Sequence, residues 1–307
     1  MPKPNLNPVL LQKLTILKAV IKDNATKAKL ETAFHETNGN FAAVAETLHH
    51  DGIASDEIKK IDFADSLSAV TDNNEKLVTK FFALPNISTM REFAFANDKT
   101  AIAKLLSDDS IPKEIKGKDL AERKLKYSTI LSNKIFNTET SAVLHRMVNK
   151  AELPIADGVV RNGLSTFFSN QPEFNIRTTS VYSAIKETNA FKGIEKDAHE
   201  GVVKELKTLQ RLQAISTSPE AMGHLMEAKL QTAFQVSEMT QKDFVKIFSK
   251  KLSKEEALTI HTNASHAKAH YDKALVAMKE YTNGVTIAAV DGKNTAKHKA
   301  AMAQKFA

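Results

Sequence analysis

Apolar residues recur every three or four positions along most of the chain, separated by polar and charged ones, and this rhythm predicts a succession of amphipathic helices. Residues 8–22 place Leu10, Leu11, Leu14, Ile16, Leu17, Val20 and Ile21 at that period. "NGNFAAVAETLHHDG" opens on a cap-like Asn40, sets Phe41, Val44, Ala45 and Leu48 on one stripe and stops at Gly52. The next helix begins at Ser55, with Asp56 and Glu57 in its first turn, where carboxylates complement the helix dipole. "DNNEKLVTKFFALP" ends its helix at Pro85. Further helices are predicted over 88–106, 119–136, 138–150, 158–170, 179–190, 196–215, 218–228, 240–250, 253–280 and 294–306. The strongest pattern lies in 196–215: Val202, Leu206, Leu209 and Leu212 share one face, with Lys204, Glu205, Lys207 and Arg211 on the other.

Glycine and proline are scarce, 10 and 8, and are read as marking where helices stop, and the linkers are short, as in compact helical proteins. The expected fold is all-α, an irregular multi-helix orthogonal array. Loops at 108–118 and 151–158 are the plainest breaks. They suggest an N-terminal helical subdomain over 1–110, a helical module over 111–292 and a Lys/Ala-rich tail over 293–307, a weak amphipathic helix cut off at the chain end. One internal echo adds to this plan. Residues 87–106 lie on 230–248 without gaps, matching Ile87 with Leu230, Thr89 with Thr232, Phe93 with Val236, Lys99 with Lys242, Ile102 with Val245 and Leu105 with Phe248. The echo predicts a duplicated helical-hairpin unit, each copy too small to bury its own face.

"PEFNIRTTSVYSAI", residues 172–185, interrupts the helical rhythm. Pro172 stops one helix, Phe174 and Ile176 are expected to plug a core in extended form, and Thr179 or Ser180 caps the next helix. The stretch therefore reads as a packed crossing between helical units.

Composition narrows the functional classes. Without cysteine there is no disulfide framework, thiolate zinc site or cysteine nucleophile, and without tryptophan and with four tyrosines, aromatic cages are poorly supplied. The net charge of +7, mostly lysine, reads as thinly spread and weakly favours acidic partners. Lysine and arginine do not crowd one face, so nucleic-acid binding is disfavoured. No apolar run reaches the roughly 20 residues a membrane span needs, and the N-terminus lacks the layout of a secretion signal.

Candidate chemistry is sparse. His261, His266 and His270 sit on one predicted helix, and His266 and His270, four apart, share a face as paired helical metal ligands do. They lack a third ligand on that face, so a solvated polar surface is the reading. His49 and His50 are adjacent and diverge, Glu255 and Glu256 read as first-turn acids behind the cap Ser253, and Arg161 beside "ADGVVRNG" reads as a surface residue. The "EAKLQTA" turn has no glycine, so the backbone approach to phosphate used by DNA-binding helical hairpins is missing there. No catalytic, cofactor-binding or metal residue is assigned, no cofactor is implied and no enzyme activity is expected.

Two blocks carry a resemblance: "RNGLSTFFSNQPEFNIRTTSVYSAIKETNAFKGI" and "ELKTLQRLQAISTSPEAMGHLMEAKLQTAFQVSEMTQKDFVKIF". The chain resembles the helical N-terminal shell region of the A component of Tc (toxin complex) insecticidal toxins, best over about 120–292, including "SAVLHRMVNKAELPIADG" and "IAAVDG". The resemblance implies a virulence role as shell material around a channel, with neither pore-forming helices nor the toxic enzyme. The implied partners are other parts or subunits of a toxin complex and a host-surface receptor. Location would be the bacterial cytoplasm before release by a non-classical route. Family members are much longer, so the chain reads either as an excised piece or as a stand-alone relative, and channel formation and the usual oligomer are not carried over. A stand-alone basic scaffold for an acidic protein or nucleic-acid partner is the alternative.

Overall fold

The computed structural model describes residues 6–283, which contain α-helices, short 3-10 turns and no strand. The first five helices are α1 (Pro8–Val20), α2 (Asn24–Glu36), α3 (Phe41–His50), α4 (Ser55–Thr71) and α5 (Glu75–Phe82). They are followed by α6 (Met90–Ala96), α7 (Lys99–Leu105), α8 (Leu120–Thr138), α9 (Thr140–Asn149), α10 (Gly158–Asn170) and α11 (Val181–Ala184). The last five are α12 (His199–Gln213), α13 (Pro219–Glu227), α14 (Ala233–Glu238), α15 (Gln241–Phe248) and α16 (Lys254–Asn283). The tail helix predicted over 294–306 and the "IAAVDG" block lie outside the described residues.

The apolar stripes meet in two clusters. A smaller one joins α1 to α4 through Leu14, Leu17, Leu30, Phe34, Val44, Leu48 and Ile61. A larger one runs from Phe63, Leu67 and Val70 of α4 through all the later helices to Ile260 and Ala264 of α16. α4 therefore buries two sides: Ile61 and Ala64 face the first cluster, and Phe63 and Leu67 the second. The clusters meet at this helix rather than near residue 110, where α7 packs directly on α8. Side-chain pairs tie distant segments across the larger cluster, including Lys99 with Glu220 at 2.7 Å and Lys150 with Asp98 at 2.8 Å.

Local chemistry explains where the helices depart from the sequence pattern. α2 carries few apolar residues, yet Asp23 caps it by accepting from Thr26 N, and Leu30, Ala33 and Phe34 are fully buried. The segment 88–106 is two helices, because Asp98 accepts from Ala101 N at 2.8 Å and starts α7 while Asn97 Nδ2 closes α6 on Phe93 O. The helix expected over 179–190 shortens to α11. Successive turns replace it, and Asn170 Nδ2 pins them by donating to Lys192 O at 2.7 Å.

The two segments matched in the sequence echo share a capping plan. Thr89 and Glu92 form a capping box at α6. At α14, Thr232 accepts from Gln235 N while Gln235 Oε1 accepts from Gln231 N. In the second helix of each pair the register slips by one. Asp98 corresponds to Thr240 as cap, and buried Ile102 and Leu106 correspond to Phe244 and Phe248, so Val245 is only half-buried.

α10 and α12 cross through glycine. A Cβ at Gly201 would lie 2.5 Å from Val160 Cγ2, and one at Gly163 would lie 2.9 Å from Val202 Cγ2. Each helix thus seats a valine of the other against a bare backbone position, which brings the two axes close.

Candidate functional site

The histidine triplet on α16 separates. His261 is buried, its Nε2 2.9 Å from Met239 O and its ring against Phe244, so it joins α14 and α15 to α16. His266 and His270 are exposed, and no group of three metal-ligating side chains occurs among the described residues. His49 and His50 end α3 beside an open depression lined with Ala45, Glu46, Ser55, Ile58 and Lys59. Glu256 accepts from Ser253 N and Oγ and also from Ser218 Oγ, which makes it a cap and a tie to α13. Glu255 is exposed in the same first turn.

The two candidate anion sites are closed by the chain's own groups. At the start of α10 the carboxylate of Asp157 accepts from Val159 N and Val160 N, occupying the position an anion would take next to Arg161. In the "EAKLQTA" turn, Ala228, Lys229 and Leu230 donate their N–H groups back to His224, Met226 and Leu225. Lys229 adopts φ +58°, the left-handed cap that such a closure needs.

The 172–185 crossing is packed, and its backbone turns rather than extends. Asn175 O accepts from Thr178 N and Thr179 N, and Asn175 Oδ1 accepts from Arg177 N. An asparagine that bonds its own neighbours in this way favours a turn over a strand-like path, which overturns the extended form. Phe174 and Ile176 are buried, with Phe174 edge-on to Phe167 at 5.6 Å. Ser180 caps α11 through Tyr182 N. Side chains from two helices satisfy the crossing's polar backbone. Ser141 Oγ accepts from Ile176 N at 2.9 Å, and Gln210 Nε2 donates to Ile176 O at 3.0 Å and Thr179 O at 2.8 Å. Arg177 reaches back to Thr140 Oγ1 at 2.5 Å and Asn137 Oδ1 at 2.8 Å.

The most perturbed groups lie beside this crossing. His145 of α9 sits between Phe95 and Phe168, at 4.6 and 5.7 Å, with Nε2 3.2 Å from Ser165 Oγ and 3.4 Å from Ser169 Oγ. Desolvation, with Arg91 nearby, drives its pKa down to about 4. The ring is neutral at pH 7 and is a feeble base for the serines it touches. Arg91 donates to Gln171 O at 3.4 Å, and burial raises the carboxyl of Glu139 against the pull of Arg91. Arg146, almost fully buried, lies 3.7 Å from Glu152 and leaves its Nε without a hydrogen bond. These groups join α6, α9 and α10. Sequence reasoning passed over His145 because nothing local marks it: its partners come from positions 50 residues before and about 20 after it.

The surface carries a different kind of signal. Along α16, Ala257, Ile260 and Ala264 are buried and Ala267 is packed against the core, but every residue from Ala269 to Lys279 is exposed. Tyr271 is 61% exposed and Leu275 39%. Charge is also less evenly spread than it reads at first. Residues 229–307 hold 13 lysines against 7 acidic residues, which is +6 of the total +7. The comparisons with family models, curated proteins and solved structures gave no match to this chain.

Proposed function

We propose that the chain is a helical interaction module, shell material in an assembly of the Tc-toxin A-component kind that its sequence blocks resemble. It would shield a channel, join subunits or contact a host-surface receptor. The observation that carries this reading is the use made of interior polar groups. Ser141, Gln210, Arg177 and His145 each join one helix or crossing to another. Such ties give a wall that holds its shape under load from its neighbours. Co-expression with the products of the adjoining reading frames, followed by light scattering and electron microscopy, tests it. Incorporation into a larger particle is the expected result. A chain that ignores those products and turns over a substrate would overturn it.

The alternative, a stand-alone basic scaffold with an acidic partner, draws its support from the concentration of lysine after residue 228. The two readings agree that the chain works by binding.

A further inference from the structure

Five helix ends surround one cleft. α1 stops at Val20, α3 at His50 and α5 at Phe82, while α2 and α4 begin beside them at Asn24 and Ser55. The gap they leave is about 600 Å³, inside the range of about 300–1,000 Å³ that small-molecule sites occupy. The chain's own bonds fix its walls. Lys29 Nζ donates to Asp51 O at 2.7 Å and ties the α3–α4 turn to α2, and Asp23 accepts from Thr26 N and Oγ1, each at 2.7 Å. Gly52, in the left-handed region at φ +77°, has open space where a Cβ would stand, so no side chain closes the mouth there.

The lining has an apolar part and a charged part. Val20, Ile53 and Phe82 are half-buried and packed on the smaller core cluster, and Phe82 also reaches the larger one, stacked on Phe63 at 5.7 Å. Together they offer a fixed apolar seat for a branched or aromatic side chain. Around it stand two ammonium groups, Lys22 and Lys60, and two carboxylates, Asp23 and Glu57. Lys60 donates to Glu57 Oε2 at 2.9 Å, and Lys22 makes no ion pair among the described residues. The four charges balance. A lone anion or a lone cation would meet repulsion as well as attraction here, and an uncharged apolar molecule would cover charged groups without pairing them. A head group that carries both signs can pair with both.

We propose that this cleft binds an apolar α-amino acid. Its side chain lies on Val20, Ile53 and Phe82, its carboxylate meets Lys22 and its ammonium meets Glu57. The site is built from α1 to α5, away from the 172–185 crossing, and it stands or falls separately from the reading of the chain as shell material.

The test uses the full chain with isotope-labelled isoleucine and valine methyl groups, titrated with L-phenylalanine and followed by NMR. Saturable shifts of the Val20 and Ile53 methyls are expected, with Val159 and Ile247, exposed apolar side chains elsewhere, unmoved. N-acetyl-L-phenylalanine, which lacks the ammonium and stands for a peptide C-terminus, should bind at least threefold more weakly. So should L-phenylalaninamide, which lacks the carboxylate and stands for a peptide N-terminus. Ala54→Phe, at an exposed position whose side chain gives α4 no cap bond, fills the cleft and should abolish the shifts. Lys22→Met and Glu57→Gln should each weaken binding at least threefold. Circular-dichroism melts check each variant's fold, and the ligand series on the wild type decides the question if a variant melts early. Several results would overturn the proposal: no saturable shift at Val20 or Ile53, equal binding of either derivative, or full binding by Ala54→Phe. So would binding unchanged by both Lys22→Met and Glu57→Gln, or Val159 and Ile247 shifts that track those in the cleft.

Discussion

His145 gives the sharpest quantitative test of the interior. Its folded pKa is about 4 against an ordinary 6.5, so between those values the unfolded chain binds a proton that the native state refuses. Stability from this group is therefore fully present above pH 6.5 and is lost as pH falls toward 4. The gap in pKa corresponds to about 3 kcal/mol, and partial solvent access to the ring reduces this to about 2 kcal/mol. Urea unfolding of the wild type and of His145→Gln, which keeps a donor near Ser165 but does not titrate, isolates the term. Carboxylate titrations recur in both proteins and cancel in the difference. The wild type should lose about 2 kcal/mol more than the variant between neutral pH and pH 4. Histidine NMR should show the His145 ring still neutral at pH 5. Parallel stability curves, or a ring that titrates near 6.5, would refute the desolvated packing between Phe95 and Phe168.

Three further outcomes follow from the fold. Phe174→Ala and Ile176→Ala each empty a filled site in the crossing, and each should cost about 2–5 kcal/mol by calorimetry or denaturant melts; an unchanged melting temperature would remove the plug. Gln210→Ala leaves two buried-side carbonyls, Ile176 O and Thr179 O, without their donor and should cost about 1–3 kcal/mol, with faster amide exchange confined to 176–185. Gly201→Ala sets a methyl 2.5 Å from Val160 and should cost about 1–3 kcal/mol, whereas Gly52→Ala meets open space and pays only the backbone strain of its positive φ. Equal losses at the two glycines would refute the close crossing.

The helical class was legible because the stripes are long and the caps local: Asn74, Asp119, Asp157 and Ser218 each accept from the first turn of their helix. α2 escaped notice because Leu30, Ala33 and Phe34 are too few to announce a period by themselves. The turn at Asn175 escaped because two apolar residues two apart suggest a strand, and only the asparagine's own hydrogen bonds decide otherwise. The exposure of residues 269–279 on α16 could not be read either: an apolar stripe looks the same in sequence whether or not something lies over it, and α14 and α15 pack on the earlier part of the helix. His145 depends on neighbours from two other helices, α6 and α10, so its depressed basicity belongs to the tertiary fold.

The paired valine-and-glycine seats between α10 and α12 also bear on how such a chain can change over time. The Gly163 seat is closed on its other side by Ile194 of the connecting stretch 171–198, 3.0 Å from where a Cβ would stand, so that stretch takes part in the lock. Sliding either helix by one residue would drive branched methyl groups into side chains where only hydrogens stand today. Only the exposed turn positions of the connecting stretch, such as 186–189, are open to drift, and relatives of this protein should differ first there and last where the two helices touch.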